Sequence, residues 1–285
     1  MAVDVMRRLS SFRPLDEYRY IGLGGYEFID FDLVHRALGV NVMTSIEDAK
    51  SDKRFIFNRP FADITIELGT TNDRLQDVAI GEPSIVWMDY CAPVRQDVLQ
   101  DVLLLGQRMA AGNLLLITVN AKPKEEEDER LADLEARVGD ERIPMGVTDD
   151  KDLDGAGMAN AQRQILAGEL DAALRKRNDS TEFRQLFDIQ YRDTTRMQTW
   201  GGLFIDPDRE PAFQAADFKS LSQVRTEGEE ALVINVPILT AREVLKLEYE
   251  MEHGKSPPEL DWLKASEERS FADLHRWYPR VPAPM

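Results

Sequence analysis

The chain has little of several things. It carries one cysteine and three histidines in 285 residues. A lone Cys91 excludes an internal disulfide and fits a reducing compartment. His35, His253 and His275 stand far apart and show no metal-ligand spacing, so no zinc or iron site is expected. No apolar run approaches the roughly 20 residues needed to span a bilayer. The N-terminal stretch MAVDVMRRLSSF lacks the apolar centre of a secretory signal. A cytoplasmic protein with no membrane partner is the expectation. Positive charge is also short, with 35 Lys and Arg against 52 Asp and Glu and a net charge of -17. That balance argues against broad binding to nucleic-acid backbones or anionic membranes. The local basic run LRKRND (174–179) reads as dipole-compensating surface late in a helix. Neither an internal repeat nor a low-complexity tract is present.

What is there begins with alternation of strand and helix over the first two-thirds. Strands are expected at 18–23, 41–47, 63–68, 83–89 and 113–121. Helices are expected at 27–39 and 94–112. In the first helix Phe28, Phe31, Val34, His35 and Leu38 recur on one face, with Gly39 as a C-terminal stop. His35 on that face reads as a core histidine. The strands PSIVWMD and NLLLITVNA are apolar on both faces, as in a parallel sheet covered by helices on each side. The fold class is therefore α/β, a doubly wound sheet. A core of 1–121 is followed by a charged, helical insertion at 122–194, with helices expected in KEEEDERLADLEARV and NAQRQILAGELDAALRKR. The intervening GVTDDKDLDGAGMAN has four aspartates but lacks the spacing and closing Glu of a calcium loop. Strands expected at 195–206 and 230–237 lie in an edge segment, 195–239. The tail, 240–285, is helical, with a Thr240/Glu243 capping box and a second helix start at Ser256-Pro257-Pro258.

The stretch YRYIGLGGYEFIDFDLVHRALGV raises the question of a ligand. Glycines after a first strand let a cofactor approach the backbone and aim a helix N-terminus at it. Gly22, Gly24 and Gly25 are present. Glu27 occupies the place of the last glycine in a dinucleotide fingerprint, and a carboxylate there repels a pyrophosphate. The loop leans away from NAD and is no P-loop. Glu47, ending the second strand, suits the ribose hydroxyls of an adenosine cofactor, whether NAD or S-adenosylmethionine.

The ordered blocks YIGLGG, SIED, IELGTTND, IVWMDYCAP and LLLITVNA resemble the class I S-adenosylmethionine-dependent methyltransferases. More narrowly, they are similar to a bacterial O-methyltransferase family. The resemblance covers residues 15–122 well and is weaker beyond. It implies a Rossmann-like sheet of seven strands whose last is antiparallel, with the two late strands as its closing hairpin. It implies S-adenosyl-L-methionine as cofactor. Gly22 and Gly24, with Gly25 beside them, would line the methionine portion, and Glu47 the ribose. The turn from Gly69 through Thr70 to Asn72 would approach the adenine. Asp89, ending the fourth strand, would face the methyl donor and substrate. The chain departs from the amino-methylating branch: after strand four it reads DYCAP, which puts nucleobase N-methylation in doubt. Cys91 stands where the narrower family often has an acid.

Methyl transfer asks for in-line positioning and sometimes a base. Asp89 is the candidate catalytic residue. Cys91 reads as an inert thiol. The acceptor is expected to be a small molecule or a protein, with the insertion or the tail as a surface for a protein partner. The alternative is a non-catalytic nucleoside-binding sensor or assembly module. The narrower family also resembles components of bacterial antiviral loci.

Overall fold

The computed structural model describes residues 1–192, 195–253, 260 and 262–277. The expected helix start at Ser256 lies outside them. The polypeptide divides into two compact units, 1–232 and 233–285.

The first unit opens with helix α1 (Ala2–Arg7) and continues as β1 (Arg19–Gly22), α2 (Ile29–Leu38), β2 (Val42–Glu47), α3 (Lys53–Asn58) and β3 (Ile64–Leu68). Next come α4 (Thr71–Arg74), β4 (Ser84–Asp89), α5 (Gln96–Arg108), β5 (Leu114–Asn120), α6 (Arg130–Val138) and α7 (Gly155–Arg175). The hairpin β6 (Glu182–Arg192) and β7 (Arg196–Ile205) and helix α8 (Glu210–Ala216) follow, and the short β8 (Leu232–Ile234) falls at the boundary of the two units. Among the described residues the strands form one sheet in the order β3-β2-β1-β4-β5-β7-β6-β8. Strands β1 to β5 are parallel, and β7 runs antiparallel to both β5 and β6. The chain winds one way from β1 and the other way from β4. The crevice beyond the carboxyl ends of β1 and β4 is thus the topological switch point, where ligands bind in open α/β sheets.

Residue chemistry accounts for these elements. Ile85, Val86 and Met88 on β4 and Leu114 to Ile117 on β5 are buried on both faces, as befits strands with neighbours on each side and helices above and below. In α2 Phe31, Val34 and Leu38 point inward. Gly39, at φ +73, ends it by returning its N–H to the His35 carbonyl at 2.8 Å. The His35 ring bonds the Val40 carbonyl at 2.9 Å and lies on Phe61, so this histidine is part of the packing.

The segment expected as a helical insertion differs in an instructive way. Its second helix, α7, is the crossover between β5 and β6. Met158, Ile165, Leu166 and Leu170 of α7 join the same core cluster as β4, β5 and α5. Where helical and charged character was expected up to 194, the strand β6 begins at Glu182. It is β6, and not the stretch 230–237, that forms the hairpin with β7. Only Leu232–Ile234 of that stretch is strand.

The second unit contains α9 (Ala241–Glu252) and α10 (Ala265–Leu274). The expected capping box is in place, with Thr240 and Glu243 bonding each other's backbone. Val244, Leu247, Leu260 and Phe271 form a small core of its own.

Helices α5 and α7 cross at Gly106. A β-carbon there would lie 2.6 Å from the Ala173 β-carbon and 2.8 Å from Leu170. Gly106→Ala should cost about 1–2 kcal/mol, overpacking outweighing the better helix propensity of alanine. Urea unfolding measures this, and an unchanged or raised midpoint would show that the crossing has room to spare.

Candidate functional site

Strand β1 ends at Gly22 and the loop 23–28 turns into α2. The turn is made at Phe28, a non-glycine residue at φ +51 whose N–H bonds the Gly24 carbonyl at 3.0 Å. Left-handed backbone costs such a residue about 1–2 kcal/mol. Burying the phenylalanine side chain is worth about 1.5–3 kcal/mol. Phe28 is fully buried, edge-on to Phe31, which in turn meets Tyr20 edge-on. Burial therefore wins, and the aromatic trio fixes the loop from below.

That packing explains the glycines. A β-carbon at Gly24 would lie 2.6 Å from the Phe28 ring and 2.8 Å from the Ser45 hydroxyl, so residue 24 has no room on its inner side. Gly25, at φ +56, faces open space, and its requirement is conformational. At Gly22 the same atom would crowd Asp30 and the Trp87 carbonyl at 3.2 Å.

The Ser45 hydroxyl accepts the Gly24 N–H at 2.9 Å and donates to Glu47 at 2.6 Å. Glu47 is only 7% exposed. Burial pushes its carboxyl up, against the opposing bonds from Ser45 and the Gly24 and Gly25 amides, and nearby Asp30 pushes it further. Asp30 sits in the first turn of α2, half-buried, and accepts the hydroxyl proton of Tyr20. Burial raises its carboxyl too, although the Tyr20 bond and local amides oppose the rise. Asp89 ends β4, across the switch point. Its side chain reaches solvent at the mouth, yet protein packed around it raises its carboxyl, and Asp30 adds to this. Among the described residues, no Lys or Arg lies within 4.0 Å of Asp30, Glu47 or Asp89. Among the described residues, three carboxylates crowd a glycine loop with no cation paired to them.

The turn after β3 is tied to the same edge. The Gly69 N–H bonds the Glu47 carbonyl at 3.0 Å, and Thr70 caps α4 by accepting the Asp73 N–H. The Asn72 amide is committed elsewhere, to the Asp97 carbonyl at 2.9 Å and to Asp101 at 2.5 Å. Asp101, on α5, also accepts the Tyr90 hydroxyl at 2.7 Å and the Thr71 hydroxyl. These donors lower its carboxyl while burial raises it, and burial prevails. Asp101 thereby fastens the β3 turn to the β4 turn. Cys91, beside Asp89 in that second turn, is exposed with a free thiol.

Gly22, Gly24, Gly25 and Glu47 thus share one cluster, with Asp89 facing it. Gly69 joins through backbone, while the side chains of Thr70 and Asn72 hold their own turn. Sequence reading did not single out Tyr20, Asp30, Ser45 or Asp101. Ser45 and Glu47, two apart on one strand, share a face, and that spacing was a usable signal.

A Rossmann-like sheet closed by an antiparallel β7, with a glycine loop and a strand-end acid at its switch point, defines the class I methyltransferase fold. Residues 1–281 match the family model described as "Putative O-methyltransferase". The chain belongs to that family and so to the S-adenosyl-L-methionine-dependent methyltransferases, whose cofactor is S-adenosyl-L-methionine. Among solved structures it is similar to a Methanococcus jannaschii fibrillarin pre-rRNA processing protein, at 13% identity and a TM-score of 0.42, covering 67% of this chain and 68% of that one. It is also similar to an arsenic(III) S-adenosylmethionine methyltransferase from Chlamydomonas reinhardtii, at 11% identity and 0.38, covering 68% and 65%. A third is the YcgJ protein of Bacillus subtilis, at 11% identity and 0.37, covering 72% and 100%. The chain spans about half the length of another similar structure, the methyltransferase SibL (52%). No match is found among curated protein sequences. No described helix is long and apolar enough to cross a membrane.

The donor set fits such a cofactor, which brings a sulfonium and an ammonium to a place where carboxylates lack a counter-charge. A linkage follows. The folded-state carboxyl of Asp30 lies above its unfolded value, so its favourable contribution exists below the unfolded value and is lost as pH rises through the folded one. At neutral pH, above the unfolded value, Asp30 is therefore a cost. Asp30→Asn, which can still accept from Tyr20, should raise the Tm at pH 7 and lose that advantage in acid. It should also weaken S-adenosyl-L-methionine binding. Melting curves against pH with parallel calorimetry test both, and a lower Tm at pH 7 with intact binding would refute this account.

Proposed function

We propose that this protein transfers the methyl group of S-adenosyl-L-methionine to a hydroxyl oxygen of a small-molecule acceptor. The observation that carries the reading is the trio Asp30, Glu47 and Asp89, uncompensated around the glycine loop. Glu47 would accept the ribose hydroxyls. The Gly22–Gly25 backbone would hold the methionine portion, where Asp30 would draw positive charge. The Gly69–Thr70 backbone would face the adenine, and Asn72 keeps that turn in place through Asp101.

When bound, the cofactor supplies a methyl group on cationic sulfur. Asp89 faces the reaction from the end of β4. An acceptor hydroxyl held beside Asp89 would present its oxygen to that methyl group. Asp89 takes the hydroxyl proton. A carboxyl already raised by its surroundings is the better base for that step. The acceptor enters on the β4–β5 side. There α6 and α7 are pinned to the sheet edge: Arg137 donates to the Val94 carbonyl at 2.9 Å, and Gln96 to the Val138 carbonyl at 2.8 Å. Gln162 bridges the Val94 N–H and the Asn120 carbonyl, at 2.7 and 3.0 Å. These bonds support a role for the segment after β5 as a wall of the acceptor site.

Two substitutions test this. Glu47→Ala should weaken cofactor binding by roughly 10- to 100-fold, the worth of a charge-assisted hydrogen bond or two, with an unchanged circular dichroism spectrum. Asp89→Asn should hold much of that affinity and cut transfer of radiolabelled methyl to hydroxylated acceptors by roughly 100-fold. Full turnover by the Asp89 variant would remove it as base. Cofactor binding by the parent without transfer to any acceptor would turn the reading toward a sensor.

A further inference from the structure

In a chain this acidic, a concentrated positive surface is unexpected, and there is one beside the acceptor edge. A cleft of about 450 Å³ is lined by Lys122, Lys124, Arg130, Arg192 and Arg196, against a single carboxylate among the described residues, Glu125. Lys122 is paired with Glu125 at 2.7 Å, and Lys124 with Glu129. The three arginines are different. Among the described residues no carboxylate pairs with Arg130, Arg192 or Arg196. Arg130 donates to the Lys124 carbonyl at 3.1 Å and Arg196 to the Gln190 amide oxygen at 3.2 Å, both neutral partners. Gly155, the first residue of α7, also lines the cleft, and the Arg196 guanidinium lies against it. Its capping Asp154 already takes the Ala156 and Gly157 amides, so the arginines, and not the helix end, supply the attraction.

The register fixes where this cleft lies. Asp89 is opposite Thr118 on β5, and Thr118 is opposite Thr199 on β7. Arg196 is three residues further toward the carboxyl edge of the sheet and pairs with Arg192 on β6. Two strand spacings and three residues put the cleft roughly 10 Å across and roughly 10 Å beyond Asp89. The glycine loop is on β1, on the other side of β4. Asp89 therefore stands between the cofactor loop and the basic cleft. A second cavity, of about 740 Å³, opens instead at the start of β6 and is lined by both charge signs, among them Asp171, Glu182, Arg175 and Arg184.

We propose that the basic cleft binds a phosphate group of the methyl acceptor, whose hydroxyl is thereby held at Asp89. Guanidinium groups with no carboxylate partner among the described residues favour a compact, multiply charged anion that they can grip with two donors each. A recess of this size suits a phosphorylated small molecule better than a nucleic-acid strand, which the strong negative charge of the whole chain repels. The acceptor role rests on the methyltransferase reading above, whereas the anion site itself stands on the arginines alone.

The test uses the full chain, with pyrophosphate, inorganic phosphate and a 12-nucleotide RNA as probes, and S-adenosyl-L-methionine titrated separately. Pyrophosphate should bind, inorganic phosphate more weakly. Arg130→Gln combined with Arg192→Gln should weaken pyrophosphate roughly tenfold or more, because two charge-assisted contacts are lost. The same variant should leave cofactor affinity within about twofold, since the sites share no partner. Failure of the parent to bind pyrophosphate, or equal binding by the variant, overturns the anion site. RNA binding roughly tenfold tighter than pyrophosphate, with a steep salt dependence, overturns the small-molecule assignment. Pyrophosphate binding by a parent that does not bind S-adenosyl-L-methionine supports the anion site and overturns its role in methyl transfer.

Discussion

One hydroxyl sets the geometry on which the cofactor edge depends. Ser45 projects from β2 and meets the loop that leaves β1, accepting the Gly24 amide and donating to Glu47. Remove it, and a half-buried N–H and a buried carboxylate each lose a partner, with a cost of up to about 1–3 kcal/mol apiece. The same contact leaves no room for a side chain at Gly24. The loop's glycine content is thus dictated in part from within the protein. Gly24 is small because Phe28 and Ser45 close around it, and Gly25 is glycine because its backbone is left-handed.

The carboxylates follow from the loop. Phe28 in its buried left-handed turn starts α2 so that Asp30 falls on Tyr20, and Ser45 aims Glu47 at the loop amides. Both acids end up partly desolvated and near each other, an arrangement that costs stability at neutral pH. Tyr20, fully buried and itself pushed well above the usual phenol range, stays protonated and serves as a fixed donor to Asp30. Such strain at a mouth, left without a cation, is the usual mark of a site shaped for a charged ligand. Asp101 makes the contrast: more deeply buried, it collects three side-chain donors and serves to lock two turns together.

The sequence was legible where structure is local. Strands β1 to β5 lie within a residue or so of their expected bounds, β4 and β5 most plainly, because central parallel strands announce themselves by being apolar on both faces. The glycine cluster, Glu47 and Asp89 were likewise visible as strand-end residues. Strand β6 was not. A register shift between Gln185 and Phe187 turns Leu186 and Phe187 both inward, which breaks the alternation that signals a strand. Asp30 escaped notice for a different reason. Its meaning lies in Tyr20, ten residues earlier on another element, and no spacing rule links a strand residue to a helix residue across a loop. Asp101 is further still from Thr71, and only the fold brings them together.

Charge shows the same limit of averages. A net of -17 constrains what the whole surface attracts at long range, but a site is felt over about a Debye length, ~8–10 Å in physiological salt. Within such distances this sheet edge is divided. Among the described residues, carboxylates without a paired cation surround the loop on β1, and guanidinium groups without a paired carboxylate gather where β5 and β6 end and β7 begins. Parallel winding puts every carboxyl end of β1 to β5 on one edge, and the antiparallel β7 delivers its first residue, Arg196, to that same edge. The hairpin that closes the sheet is therefore also what brings Arg192 and Arg196 beside Lys122. A cationic donor and an anionic acceptor would be drawn to opposite ends of one crevice, and the residue between those ends is Asp89.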